Sequence, residues 1–218
     1  MKLRLLARLS ILLVGSLLAG KAIAVPTILV WGDSLSAGYG LDAQSGWVHL
    51  LAQKLKSQGT NYAVVNGSVS GETTSGGLSR LPAALDRYHP DLLLIELGGN
   101  DGLRGQPAEV MRTNLEKMTD LAQAAGAKPV IFEMRIPSNY GPVYTEKFRQ
   151  AFTEVAKTRK APLVPFFLGA IAADLRRWFQ DDGIHPNAAA QPQMLDAVWP
   201  TLQPLLSVVP ASRAVTVP

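Results

Sequence analysis

Ile28-Leu29-Val30-Trp31-Gly32-Asp33-Ser34-Leu35-Ser36 joins a short apolar run to a polar turn led by glycine. A continuous apolar run of this length, with β-branched members and a Gly-Asp stop, reads as a strand buried on both faces. Residues 62–65, 92–97, 130–134 and 163–166 have the same character. Helical patterns lie between these runs. Trp47, Leu50, Leu51 and Leu55 share one helical face, Leu78, Leu81 and Leu85 another, and Met111, Leu115, Met118 and Ala122 a third. Apolar stripes at this spacing face a core. A last helix is expected from about residue 188 to residue 206, broken or bent near Pro200, because proline removes a backbone donor. Regular alternation of strand and helix implies a parallel sheet covered by helices on both faces, since parallel neighbours need crossover connections.

The two ends of the chain read differently from its middle. Lys2, Arg4 and Arg8 flank a 12-residue apolar run (9–20), and Ala22-Ile23-Ala24 has the small-x-small pattern of a cleavage site. That is the layout of a secretory signal peptide, and 12 residues fall short of the ~20 that a membrane-spanning helix needs. Residues 1–24 are therefore expected to be a signal cleaved after Ala24, residues 25–206 a single domain, and residues 207–218 a disordered tail. The implied location is the periplasm or the surrounding medium, with no stable membrane span.

The formal charge of +4 comes from the leader. Lys2, Arg4, Arg8 and Lys21 stand there without an acidic residue, and setting them aside leaves 17 basic against 17 acidic residues. A neutral mature chain with no polybasic run lacks the field that draws in nucleic acid, so no nucleic-acid partner is expected. The chain has no cysteine, which excludes disulfides, thiol catalysis and cysteine-ligated metal. Its three histidines, His49, His89 and His185, are far apart in sequence and give a histidine metal site little to build on. No metal or cofactor is expected.

Ligands of open α/β sheets bind outside the carboxyl ends of the strands. Four polar, glycine-rich clusters fall there: Gly32-Asp33-Ser34-Leu35-Ser36, the stretch from Asn66 through Ser68 and Ser70 to Gly71, Gly98-Gly99-Asn100-Asp101, and Asp181-Asp182-Gly183-Ile184-His185-Pro186. Nucleophilic acyl transfer fits this set. A serine hydroxyl is a poor nucleophile at its own pKa and needs a base within hydrogen-bond reach. His185 is the histidine in a loop on that edge, and Asp182, three residues earlier, can reach it within one turn. The carboxylate would hold the imidazole tautomer and stabilise the imidazolium formed on attack by Ser34. A tetrahedral intermediate also needs donors aimed at its oxyanion. Gly71 allows close approach of its N–H, the Asn100 side chain offers an amide, and the Ser34 N–H makes a third.

These blocks resemble the SGNH, or GDSL-type, hydrolases. Gly32-Asp33-Ser34-Leu35 matches the first block, Gly71 the second, Gly98-Gly99-Asn100-Asp101 the third and Asp182-Gly183-Ile184-His185 the last, in order and across nearly the whole mature chain. Within that family the chain looks closest to the bacterial group of multifunctional thioesterases, lysophospholipases and arylesterases. The resemblance implies a flavodoxin-like, three-layer α/β/α fold with a five-stranded parallel sheet and a Ser34–His185–Asp182 triad. It also implies an oxyanion hole of Ser34, Gly71 and Asn100, and an acyl chain bordered by residues 102–107. Asn66-Gly67-Ser68 and Glu72 are expected to bear on substrate preference. The implied substrate is an acyl ester or lysophospholipid. Thioesters of coenzyme A are cytosolic, so an exported enzyme would meet other esters. The chain is expected to act as a monomer.

Competing patterns are weaker. The Gly-x-Ser-x-Gly elbow of α/β-hydrolases is missing, since Ser36 stands where glycine is required. Gly38-Tyr39-Gly40 imitates a dinucleotide fingerprint but comes several residues after the strand, and Asn66, not an acid, ends the second strand. Asp33 and Asp101 read as structural acids beside glycine turns. Asp181 competes with Asp182, and the spacing and the family pattern favour Asp182. Glu96, in a buried strand, has no role assigned by the sequence. Two other functions suit the same residues: a carbohydrate O-acetylesterase, and a binding module that keeps the fold without turnover.

Overall fold

Every strand expected from the sequence pairs in one sheet in the computed structural model, which describes residues 25–206. The leader (1–24) and tail (207–218) readings lie outside the described residues. β1 (Thr27–Gly32), β2 (Ala63–Asn66), β3 (Leu92–Glu96), β4 (Lys128–Phe132) and β5 (Leu163–Val164) are all parallel, in the order β2-β1-β3-β4-β5. β1 and β3 are central and almost wholly buried, which is why they read as unbroken apolar runs. β2 is an edge strand and stays half-exposed.

Pro129 and Pro165 set two strand boundaries. A proline cannot donate to the ladder, so it is tolerated near a strand's start and stops one further on. β4 accordingly begins at Lys128, before the apolar run, and β5 stops at Val164 although the apolar residues continue.

Helices α3 (Thr74–Tyr88), α5 (Ala108–Ala124) and α6 (Pro142–Thr158) pack beside one another, and α2 (Trp47–Ser57) packs on α8 (Gln191–Leu206). With right-handed crossovers these two groups cover opposite faces, completing three layers. Met111, Leu115, Met118 and Ala122 of α5 are fully buried, as are Trp47, Leu51 and Leu55 of α2. Trp47, Phe132 and Phe167 stack edge-on or tilted at centroid separations of 5.1–5.9 Å. Of the break or bend expected near Pro200, the break is absent: α8 is one continuous helix through Pro200 and Pro204. Burial of Val198, Leu202 and Leu205 on the core offsets the backbone bonds the prolines remove.

The sheet's direction of growth reverses between β1 and β3, because β1 leads left to β2 and β2 crosses back to β3. The carboxyl ends of those two central strands therefore form the crevice in which doubly wound folds bind ligands.

Candidate active site

Ser34 opens a one-turn helix, α1 (Ser34–Ala37), directly after β1. Asp33 caps it by accepting from the Leu35 N–H at 3.0 Å, and Gly38, at φ 74°, ends it in the left-handed region. The turn is tied down from several sides. Gly32 N–H donates to Ser68 Oγ at 3.0 Å, and the Asn66 amide donates to the Ser36 carbonyl at 2.7 Å. Ser36 Oγ donates to Glu96 Oε2 at 2.7 Å. A Cβ on Gly32 would sit 2.6 Å from Glu96 Oε2 and 2.7 Å from Ser36 Oγ, so the first glycine of the block is there for close approach.

Phe179 and Pro186 form an antiparallel bridge that closes the loop between them, and this loop carries the last block. Asp182 Oδ1 accepts from the N–H groups of Ile184 and His185 at 2.9 and 3.0 Å, while Oδ2 lies 2.6 Å from His185 Nδ1. His185 Nε2 lies 3.0 Å from Ser34 Oγ, across 151 positions of sequence. The imidazole bond, with the backbone donors behind it, holds the Asp182 carboxyl down at about 2. Asp182, not Asp181, thus reaches His185.

The residues expected to supply the oxyanion donors border the same cavity. Ser34, Gly71, Asn100 and His185 all line one cavity of about 550 Å³. Gly71 has φ 77°, a conformation that strains any residue with a Cβ. The N–H groups of Ser34 and Gly71 donate to nothing else among the described residues. Asn100, in α4 (Gly99–Leu103), gives one N–H to Asp33 Oδ2 at 3.0 Å, which leaves its second N–H for a ligand. Leu103, Met134, Ile136, Pro137, Leu168 and Ile184 supply the apolar wall, a volume and lining suited to a small, largely apolar ligand.

Residues 102–107 contribute Leu103 to that wall. The segment is fastened by Tyr140 Oη and Tyr144 Oη, which donate to the carbonyls of Leu103 and Gln106, and by Arg104 Nη2, which donates to the Gly71 carbonyl at 3.0 Å. Asn66 and Ser68 brace the Ser34 turn instead of lining the cavity, and Glu72 is paired with Arg80 at 2.6 Å. Their expected part in substrate preference finds no contact to rest on. Asp101 is buried and accepts from the Thr74 N–H and hydroxyl, joining α4 to the start of α3. His49 lies beside Gln53 on α2, and His89 ends α3; neither lines the cavity.

Sequence reasoning missed two supports of the imidazole. Tyr39 stacks on His185 at a centroid separation of 4.4 Å, and Gln180 Nε2 bonds to the carbonyls of Tyr39 and Pro186 at 2.8 and 3.1 Å. Contacts spanning 141 positions leave no local signal. Among the described residues no cluster of three His, Asp or Glu side chains could hold a metal ion, and no helix is long and apolar enough to cross a membrane.

Residues 30–191 match the family model of the GDSL-like lipase/acylhydrolases. The chain is 50% identical over 183 residues to esterase TesA of Pseudomonas aeruginosa, covering 84% of this chain and 90% of that one. It is 45% identical over 192 residues to thioesterase 1/protease 1/lysophospholipase L1 of Escherichia coli, covering 88% and 90%. The crystal structure of TesA superposes with a TM-score of 0.80 at 50% identity, covering 82% of this chain and 99% of that one.

Proposed function

We propose, from the premise that this chain belongs to the GDSL-like lipase/acylhydrolase family, that Ser34 is its nucleophile, His185 its general base and Asp182 the residue that orients the base. The chain is a serine hydrolase of carboxylic ester and thioester bonds. The observation that carries the residue assignment is the continuous relay from Asp182 Oδ2 to His185 Nδ1 at 2.6 Å and from His185 Nε2 to Ser34 Oγ at 3.0 Å, opening on an apolar cavity.

Ser34 Oγ attacks the acyl carbonyl as His185 Nε2 takes its proton. Asp182 keeps Nδ1 protonated and stabilises the imidazolium. The oxyanion is met by the N–H groups of Ser34 and Gly71 and by the free N–H of Asn100. His185 then gives its proton to the departing alcohol or thiol. Water enters, loses a proton to the same imidazole, and releases the acid from the acyl-enzyme.

The apolar wall supports an acyl chain as the recognised part, and hence aryl esters and lysophospholipids as substrates. The leader pattern at residues 1–24 supports export to the periplasm or the medium. A complete set of site residues within one chain supports action as a monomer. The test is a series of p-nitrophenyl esters of rising acyl length, with an acetylated sugar alongside. Each buried methylene is worth ~0.8 kcal/mol, so kcat/KM should rise by up to about fourfold per methylene until the cavity is filled. A preference for the acetylated sugar over every longer ester would replace the lipid reading with a carbohydrate one.

A further inference from the structure

Glu96 ends β3 directly beside Gly32 and is fully buried, yet the hydrolytic relay does not use it. Its Oε2 accepts from Ser36 Oγ at 2.7 Å and from the Asp33 N–H at a long 3.4 Å, with the Ser36 N–H also directed at it. Its Oε1 has no hydrogen-bond partner among the described residues. The neighbouring Asp33 is also buried, but each of its oxygens has a donor: the Leu35 N–H on Oδ1 and the Asn100 amide on Oδ2, each at 3.0 Å.

Resting on the reading of Asn100 as an oxyanion donor, we propose that Glu96 is a positioning residue acting as a neutral carboxylic acid: it braces the nucleophile turn through Ser36 and leaves the negative charge of the buried pair on Asp33, which orients the Asn100 amide. The titratable groups facing this pair are Asp101 from α4 and His185 from the 179–186 loop, and no cation among the described residues forms an ion pair with either acid. Two adjacent buried carboxylates cannot both ionise cheaply. The charge settles where donors and the nearby imidazole favour it, on Asp33, and the proton stays on the acid with a bare oxygen. Burial, and then the charge of Asp33, hold the Glu96 carboxyl well above the usual range. An ionised Asp33 accepts from Asn100 Nδ2 and so keeps the amide nitrogen, not its carbonyl oxygen, turned towards the cavity.

The test compares wild type with Glu96→Gln, which mimics a neutral acid, and with Glu96→Ala, at about pH 7.5, where Asp33, pushed up by burial to about 6, is ionised. Infrared difference spectra should show a carboxylic-acid C=O band in wild type that Glu96→Gln lacks. Turnover on a p-nitrophenyl ester should fall no more than about threefold in Glu96→Gln but more than about tenfold in Glu96→Ala, with KM little changed in both, because the lost contacts position groups that act in the transition state. A missing acid band, or a Glu96→Gln variant as impaired as Glu96→Ala, overturns the proposal. Should Glu96→Ala fail to fold, the band and the Glu96→Gln turnover decide it. The band is read without substrate, so its outcome stands apart from whether Ser34 proves to be the nucleophile.

Discussion

Replacing Asn100 with alanine isolates one donor of the oxyanion hole. One of the two Asn100 N–H groups is already committed to Asp33 at 3.0 Å, so the substitution removes a single donor from the cavity and leaves the backbone donors of Ser34 and Gly71 in place. Loss of one such donor costs about 2.7–4 kcal/mol in the transition state, a fall in kcat of about 10²–10³. KM should stay within about threefold, because the ground-state carbonyl gains little from a donor placed for the oxyanion. A second effect is specific to this site. Asp33 loses one of the two donors to its carboxylate while buried, which costs about 1–3 kcal/mol of stability. For a domain of this size that lowers Tm by about 2–12 °C. Steady-state kinetics on a p-nitrophenyl acyl ester, with a thermal melt of the same samples, reads both. A fall in kcat of less than about tenfold, or a rise in KM at constant kcat, would refute the placement of Asn100 at the oxyanion.

Two further outcomes follow from buried groups beside the nucleophile. Burial lifts the Asp33 carboxyl from 3.8 to about 6, so the folded protein binds more protons than the unfolded chain between those values, and stability falls as pH rises through that window. Asp33→Asn, which keeps the cap, should remove this slope and gain on wild type by on the order of 2–3 kcal/mol between pH about 4 and about 7; denaturant titrations giving a pH-independent difference would contradict it. Gly32→Ala forces a Cβ to within 2.6 Å of Glu96 Oε2, and the strain, about 1–3 kcal/mol, should part Ser36 from Glu96 and lower kcat more than about tenfold in a folded protein. Wild-type turnover in that variant would show that the turn tolerates displacement.

The sheet was legible because β1 and β3 are buried on both faces, and their apolar runs are bounded by glycine and aspartate. The errors lay where proline competes with pattern: Pro165 cut β5 short, while tertiary burial carried α8 through Pro200. The site was legible in its chemistry, since Ser34, Gly71 and Asn100 stand in short polar blocks after β1, β2 and β3, and Asp182 and His185 in another just before the last helix. Their supports were less so. Glu96 was visible only as an anomaly, because its partner Ser36 is 60 positions away. Gln180 and Tyr39 carry no residue pattern that tells a loop staple from an ordinary surface side chain. Long-range hydrogen bonds are a property of the folded loops and have no periodicity to read.

Trapping the enzyme with a fluorophosphonate, followed by intact-mass measurement and peptide mapping, tests most directly whether the hydroxyl at position 34 forms the covalent intermediate. A single adduct on Ser34, formed in step with loss of esterase turnover and absent from Ser34→Ala, is the expected result. Turnover that survives saturating label, or an adduct mapped to any other side chain, would contradict it.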